Sequence, residues 1–252
     1  MIFDTKELQS HCILCGENNY VHNEVSLDQP IYKYTSLGNA LCILDNTFIV
    51  CNRHFFSDRT EIGEYKQRWM KFPYFLPAGA SPTQRQAEIW NKHSKQEYLS
   101  QFLYVSSWTH DNIENYLMWK AYASKGIGVR IETTLRKMLN ARFNNNDCNV
   151  FCGNVLYEQA RPKYTQHDEL FLKTLEYANE KEIRIVIVPN ELQFIDDIPI
   201  GPNQYKVKLS ENIINSVVLS PFMSSKESAL LKDALNARYH NLIVKESSLL
   251  EI

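Results

Sequence analysis

The stretch that most constrains this chain is Glu180 to Val188, EKEIRIVIV. Read as a strand, it alternates: Ile183, Ile185 and Ile187 point one way, while Glu180, Glu182, Arg184 and Val186 point the other. The isoleucine face is a β-branched surface that must pack on a core. The other face carries two carboxylates about 7 Å apart along the strand, followed by a guanidinium. A carboxylate pair on a strand is a rigid mount for chemistry. It is equally a solvated face held by cross-strand ion pairs.

A chain of 252 residues is long enough for one substantial core, or for one core with a sizeable insertion. Its 27 basic and 29 acidic side chains leave a net charge of −2, so any contact with nucleic acid has to be local. The opening MIFDTKELQS has no cationic flank, apolar run or small-residue cleavage site, and no apolar stretch reaches the roughly 20 residues of a spanning helix. The expectation is a cytoplasmic protein without a membrane contact. Cys12 and Cys15 have the spacing of half a zinc site, and Cys148 and Cys152 make a looser pair, but the set with His11 and His22 fits no standard pattern.

Residues 1–29 read as a polar lead-in and 30–252 as one domain. IYKY (31–34) is a short strand with Tyr32 and Tyr34 on one side and Ile31 and Lys33 on the other. Thr35-Ser36 caps a helix through Leu44, and 48–51 is a second strand. Residues 58–100, with charges at helical spacing around a Pro-rich aromatic loop, read as a helical insertion or lid. Strand 101–107 opens on Ser106-Ser107-Trp108-Thr109, after which Asp111 and Glu114 have capping-box spacing for a helix to about Ser124. Further strands follow at 126–132, 153–158, 204–209 and 213–219. Helices are expected at 166–179, running directly into the Glu-Lys-Glu strand, and at 224–239. Strands in quantity with helices not regularly interleaved predict an α+β fold of mixed or antiparallel sheets with flanking helices.

There is no nucleotide-binding GxxxxGK[ST], no GxGxxG, no GxSxG elbow and no HExxH. What remains is a constellation on three strands: Tyr32-Lys33-Tyr34, Ser106 to Thr109, and Glu180 to Arg184. Aromatic rings can stack on a planar ligand, hydroxyls and cations can hold phosphate or ribose, and a carboxylate can stabilise positive charge. Each member also has a plainer reading: Trp119 and Tyr122 as core aromatics, the serines as a strand end, the carboxylates as a solvated face.

The succession IYKYTSL, FFSD, VSSWTHDNIENYLMWKAYASKGIGVRIE and FLKTLEYANEKEIRIVI resembles the bacterial domain of unknown function family 2971. IINSVVLSPF with the following helix and LIVKES is similar to that family's ending, so the resemblance spans most of residues 30–248. The order of strand-borne groups is in turn similar to ADP-ribosyltransferases. That likeness implies an ADP-ribosyltransferase-like core that uses NAD to modify a macromolecule, protein or nucleic acid, or hydrolyses it. It implies a toxin or phage-defence setting, and leaves any antitoxin-type partner unidentified. Glu182 would stabilise an oxocarbenium-like transition state with Arg184 as its holder, and Glu180 would orient the acceptor. Ser107 or Thr109 would support Glu182, Lys33 or Arg53 would hold phosphate, and Tyr122 or Trp119 would stack on nicotinamide, near the phenols Tyr32 and Tyr34. Two rival readings stand beside it: a sensor or adaptor that binds a nucleotide or peptide without chemistry, and a nuclease binding metal through Asp58, Glu180 and Glu182.

Overall fold

The isoleucine alternation is realised in a strand that runs Glu182–Pro189, with Ile183, Ile185 and Ile187 fully buried. The computed structural model describes residues 13–14, 19–22, 25–52, 104–123, 127–141, 148–157, 171–189, 194–195, 198–199 and 204–249. Arg53, Asp58, the expected insertion at 58–100 and the Cys12/Cys15 pair lie outside the described residues.

The strands in chain order are β1 (Ile13–Leu14), β2 (Asn19–His22), β3 (Pro30–Ser36), β4 (Thr47–Asn52), β5 (Tyr104–Thr109), β6 (Gly128–Thr134), β7 (Cys148–Asn154), β8 (Leu156–Tyr157), β9 (Leu172–Lys173), β10 (Glu182–Pro189), β11 (Phe194–Ile195), β12 (Ile198–Pro199), β13 (Gln204–Lys208), β14 (Ser216–Leu219) and β15 (Ile243–Lys245). Their main sheet has the order β1-β2-β7-β10-β5-β3-β6-β14-β15, with β4 and β13 branching from β5. Neighbours are antiparallel except β2 with β7 and β14 with β15. With helices α1 (Leu37–Leu44), α2 (Tyr116–Ala123), α3 (Leu135–Asn140) and α4 (Ser225–Arg238), this is an α+β fold on a mostly antiparallel open sheet. The segment read as a lead-in supplies β2, which pairs with β7 inside that sheet.

One face of the sheet holds the main core. Ile183, Ile185, Trp108, Ile31, Ile131, Val150 and Val217 line it, and α1, α3 and α4 close it with Ile43, Met138 and Leu235. The opposite face carries Glu182, Arg184 and Val186 of β10, and Ser107 and Thr109 of β5 in register with them. Tyr32 pairs with Thr109 from the other side, and Tyr34 pairs with Arg130, so these residues continue that face across the sheet. Helix α2 lies over its far part, where Trp119 and Ala123 pack with Tyr34 and Val218.

The helix ends show why the chain turns where it does. Ser36 accepts from Asn39 N and Thr134 from Lys137 N, each at the start of a helix. Ser224 and Glu227 form a full capping box on α4. The expected Asp111/Glu114 box is not made. The cap of α2 is Asn115, whose Oδ1 accepts from Leu117 N at 2.9 Å and Met118 N at 3.3 Å. Asp111 instead closes a small turn on Ile113 N, and Glu114 accepts from Trp119 Nε1, Ser247 and Ser248. Gly128 is required where the end of α2 crosses β6: a Cβ there would meet Ala123 O at 2.1 Å.

The helix expected at 166–179 is not formed over its described part. Leu172–Lys173 pairs in parallel with Leu156–Tyr157, and Leu175–Glu180 is a 3-10 turn. That turn ends on Lys181 in the left-handed region, φ 45°. Glu180 therefore stands one turn before the strand rather than on it.

Candidate functional site

The centre is Glu182, the first residue of β10, and its side chain is 1% exposed. Arg184, two residues on and on the same face, donates from Nε to Oε1 at 2.8 Å and from Nη2 to Oε2 at 3.3 Å. Lys173 of β9 donates to Oε2 at 3.2 Å and, with the same ammonium, to Glu180 Oε2 at 2.7 Å. The left-handed Lys181 is what makes this possible: it turns the chain so that two carboxylates on opposite sides of one residue meet a single cation. Lys181 itself points away, to Asp111 Oδ2 at 2.9 Å.

Burial by itself would push the Glu182 carboxyl up. The charge and hydrogen bonds of Arg184 outweigh it, and Lys173 and the Ser107 hydroxyl add to the pull, so the group is held down at about 2. It is a permanently ionised carboxylate at neutral pH. Its backbone N–H donates to the Tyr157 hydroxyl at 2.7 Å, and burial, the largest effect, pushes that phenol up to about 12.

From this centre a line of contacts runs outward. Tyr122 of α2 donates its hydroxyl to Glu180 Oε1 at 2.8 Å, and Glu180 is 15% exposed at its side chain. Tyr122 is 48% exposed, and its phenol is pushed up by burial of the hydroxyl and by the charge of Glu180. The series Glu182, Lys173, Glu180, Tyr122 thus links a buried charge to an accessible aromatic ring.

The remaining expected residues fall in three places. Ser107, Thr109, Tyr32 and Tyr34 share the face of Glu182. Thr109 spends its hydroxyl on Asp111 N, so Ser107 is the hydroxyl that bears on Glu182. Lys33 points to the other side of β3, into a fork in the sheet. Along one edge, among the described residues, β5 pairs with β3 only at Thr109 and with β4 only at Tyr104 and Val105. In that gap the Lys33 ammonium donates to Ser107 O at 2.8 Å and Ser106 Oγ at 3.3 Å, 5.6 Å from the Trp108 ring centre. The residue is partly covered but its ammonium is enclosed. Burial pulls it down to about 8 against the smaller opposing influence of Cys51 and Glu182. Lys33 is a filler of the fork rather than a neighbour of Tyr32. Trp119 is fully buried, edge-on to Tyr34 with centroids 5.0 Å apart, and offers no open face for stacking. Of the two rings expected to stack on a ligand, Tyr122 alone is accessible.

Three residues that matter here were not singled out from the sequence. Tyr157 lies in the expected strand 153–158 and Lys173 in the expected helix 166–179, and neither stands in a motif that marks it for the site. Arg130 lies in GVRIE, which reads simply as a strand, yet its guanidinium stacks on the Tyr32 ring at 3.9 Å. Cys148 and Cys152 lie four residues apart along extended β7, a separation of about 13 Å that excludes a shared metal. Among the described residues no three His, Cys, Asp or Glu side chains converge on a metal position. The point between Glu180 and Glu182, where a nuclease metal would sit, is taken by the Lys173 ammonium.

No family model, no curated protein and no solved structure matches this chain.

Proposed function

We propose that this chain cleaves the N-glycosidic bond of NAD in the manner of an ADP-ribosyltransferase, passing ADP-ribose to a macromolecule or to water. The observation that carries the reading is the state of Glu182: buried, fixed by Arg184, and ionised with its carboxyl held near 2. Such a group is too weak a base to move a proton at neutral pH. It is suited to stabilising a positive charge through space in a water-poor setting. In the reaction the ribose C1′–nitrogen bond breaks, its electron pair leaves with nicotinamide, and positive charge builds on the ribose. Glu182 Oε2, now shared with the Lys173 ammonium, is the oxygen this charge would face. Glu180, nearer the surface, would orient the acceptor, and the half-exposed Tyr122 ring would stack on nicotinamide. A defence or toxin setting accords with the sequence resemblance.

Nicotinamide release from NAD by wild type and Glu182→Gln tests it. The expected result is turnover that falls by at least about a hundred-fold, roughly 3 kcal/mol of lost stabilisation. No turnover, together with no rise in Tm on adding NAD, would sink the proposal.

A second reading rests on a specific observation: both oxygens of Glu182 already have cationic partners, so its charge is neutralised before any ligand arrives. On that reading the protein binds a nucleotide without chemistry. Ligand stabilisation would then survive Glu182→Gln and be lost in Tyr122→Ala.

A further inference from the structure

Two buried strand arginines, Arg130 and Arg184, meet the same problem and receive different answers. Each has a glutamate two residues away along its strand, on the same face. Glu182 pairs with Arg184. Glu132 turns away from Arg130, accepting from Ser216 Oγ at 2.7 Å and lying 3.7 Å from Lys245 Nζ. Arg130, 4% exposed, keeps two hydrogen bonds, both from Nη2, to the backbone carbonyls of Asp111 and Asn112 at 2.9 Å. Its enclosed Nε has no hydrogen-bond partner among the described residues. The guanidinium lies 3.9 Å from the Tyr32 ring centre and 5.6 Å from that of Tyr34.

A guanidinium that is desolvated, stacked and fixed by two carbonyls is already oriented, and among the described residues no carboxylate forms an ion pair with it. That arrangement suits a planar fork awaiting an oxyanion. Its place in the sheet bears on which one. Tyr32, on which Arg130 stacks, is two strands from Glu182 by way of Thr109, about 10 Å. A dinucleotide has its phosphates one ribose away from the glycosidic bond, which suits that separation. We infer that Arg130 is an oxyanion site taking the diphosphate of a nucleotide ligand. The choice of phosphate over carboxylate rests on the proposed NAD reading; the existence of an anion site does not.

The test follows the Arg130 Nε–H resonance and the Tm of the whole protein on titration with pyrophosphate, ADP-ribose, adenosine and citrate. Pyrophosphate and ADP-ribose are expected to shift the resonance and raise Tm, adenosine and citrate to do neither. In Arg130→Lys, ADP-ribose affinity should fall by at least about ten-fold. The resonance in the wild type decides the matter even if the variant does not fold. An unmoved resonance with both phosphates, or equal affinity in Arg130→Lys, would make Arg130 purely structural, and a response to citrate alone would overturn the phosphate assignment. Pyrophosphate binding without NAD turnover would remove the enzyme reading and leave this site standing. NAD turnover with an unmoved resonance would do the reverse.

Discussion

Glu182 and Arg184, neighbours on one face of β10, hold each other at 2.8 Å with side chains 1% and 2% exposed. A buried pair of this kind stabilises little relative to apolar residues, but breaking it leaves a charge stranded. Arg184→Met should therefore destabilise the protein by about 3–5 kcal/mol in urea unfolding, while the double variant Glu182→Leu/Arg184→Met should recover most of that loss. Additive losses in the double variant would contradict the pairing.

The same pair sets an acid limit. The Glu182 carboxyl titrates near 2 when folded, against its ordinary 4.5. Because the folded value is depressed, the stabilisation is fully present above about 4.5 and is lost as pH falls from there through 2, on the order of 3 kcal/mol. Unfolding free energy measured between pH 2.5 and 7 should fall steeply with acid in the wild type and less so in Glu182→Gln. Parallel curves would show that Glu182 is not the group responsible.

Lys33 acts at the other end of the scale. Its folded value near 8 lies below the ordinary 10.5 because burial disfavours the ammonium. A depressed base binds fewer protons folded than unfolded, so its contribution makes stability rise with pH between about 8 and 10.5. In protein carrying isotope-labelled lysine, one side-chain signal should titrate with a midpoint near 8 and vanish in Lys33→Arg. If every lysine titrates above 10, the ammonium is not enclosed in the fork.

Trp119 and Tyr122 sit three residues apart on α2 and should behave oppositely. Trp119→Ala empties a fully buried site and should cost about 3–5 kcal/mol of stability. Tyr122→Phe removes one hydroxyl from Glu180 at a half-exposed position and should change stability by less than about 1.5 kcal/mol. Its effect belongs in ligand binding, read by nucleotide-induced shifts in Tm.

Gly128→Ala places a methyl 2.1 Å from the carbonyl oxygen of Ala123, which is backbone and has little room to move. Overpacking of this kind costs at least about 1–3 kcal/mol. A variant as stable as the wild type would mean that the end of α2 does not press on β6 in solution.

Several elements were legible because their cause is local. The isoleucine alternation of β10, the tyrosine alternation of β3 and the serine cap of α1 follow from the strand period and from a side chain bonding its own backbone. Helix α4 was readable on the same grounds, within a residue of its observed ends. The α2 cap was misassigned because Asp111, Glu114 and Asn115 all have capping chemistry. What chose Asn115 was the demand of Ser247 and Ser248 for the Glu114 carboxylate, more than a hundred residues away in sequence.

The site divides in the same way. From sequence, two carboxylates and an arginine stood at a strand whose apolar face was certain, and nothing local said whether the polar face met water. Packing over the sheet decided it. Tyr157 of β8, Lys173 of β9 and Glu180 with Tyr122 of α2 come over that end of β10, so the face is enclosed, and enclosure turns Glu182 into a fixed charge. The left-handed Lys181 moved Glu180 off the strand, and the gap between β5, β3 and β4 is what encloses the Lys33 ammonium. Local chemistry is written in the order of residues. Which charges share a low-dielectric space depends on non-local strand pairing and burial, and a single sequence does not encode those at any one position.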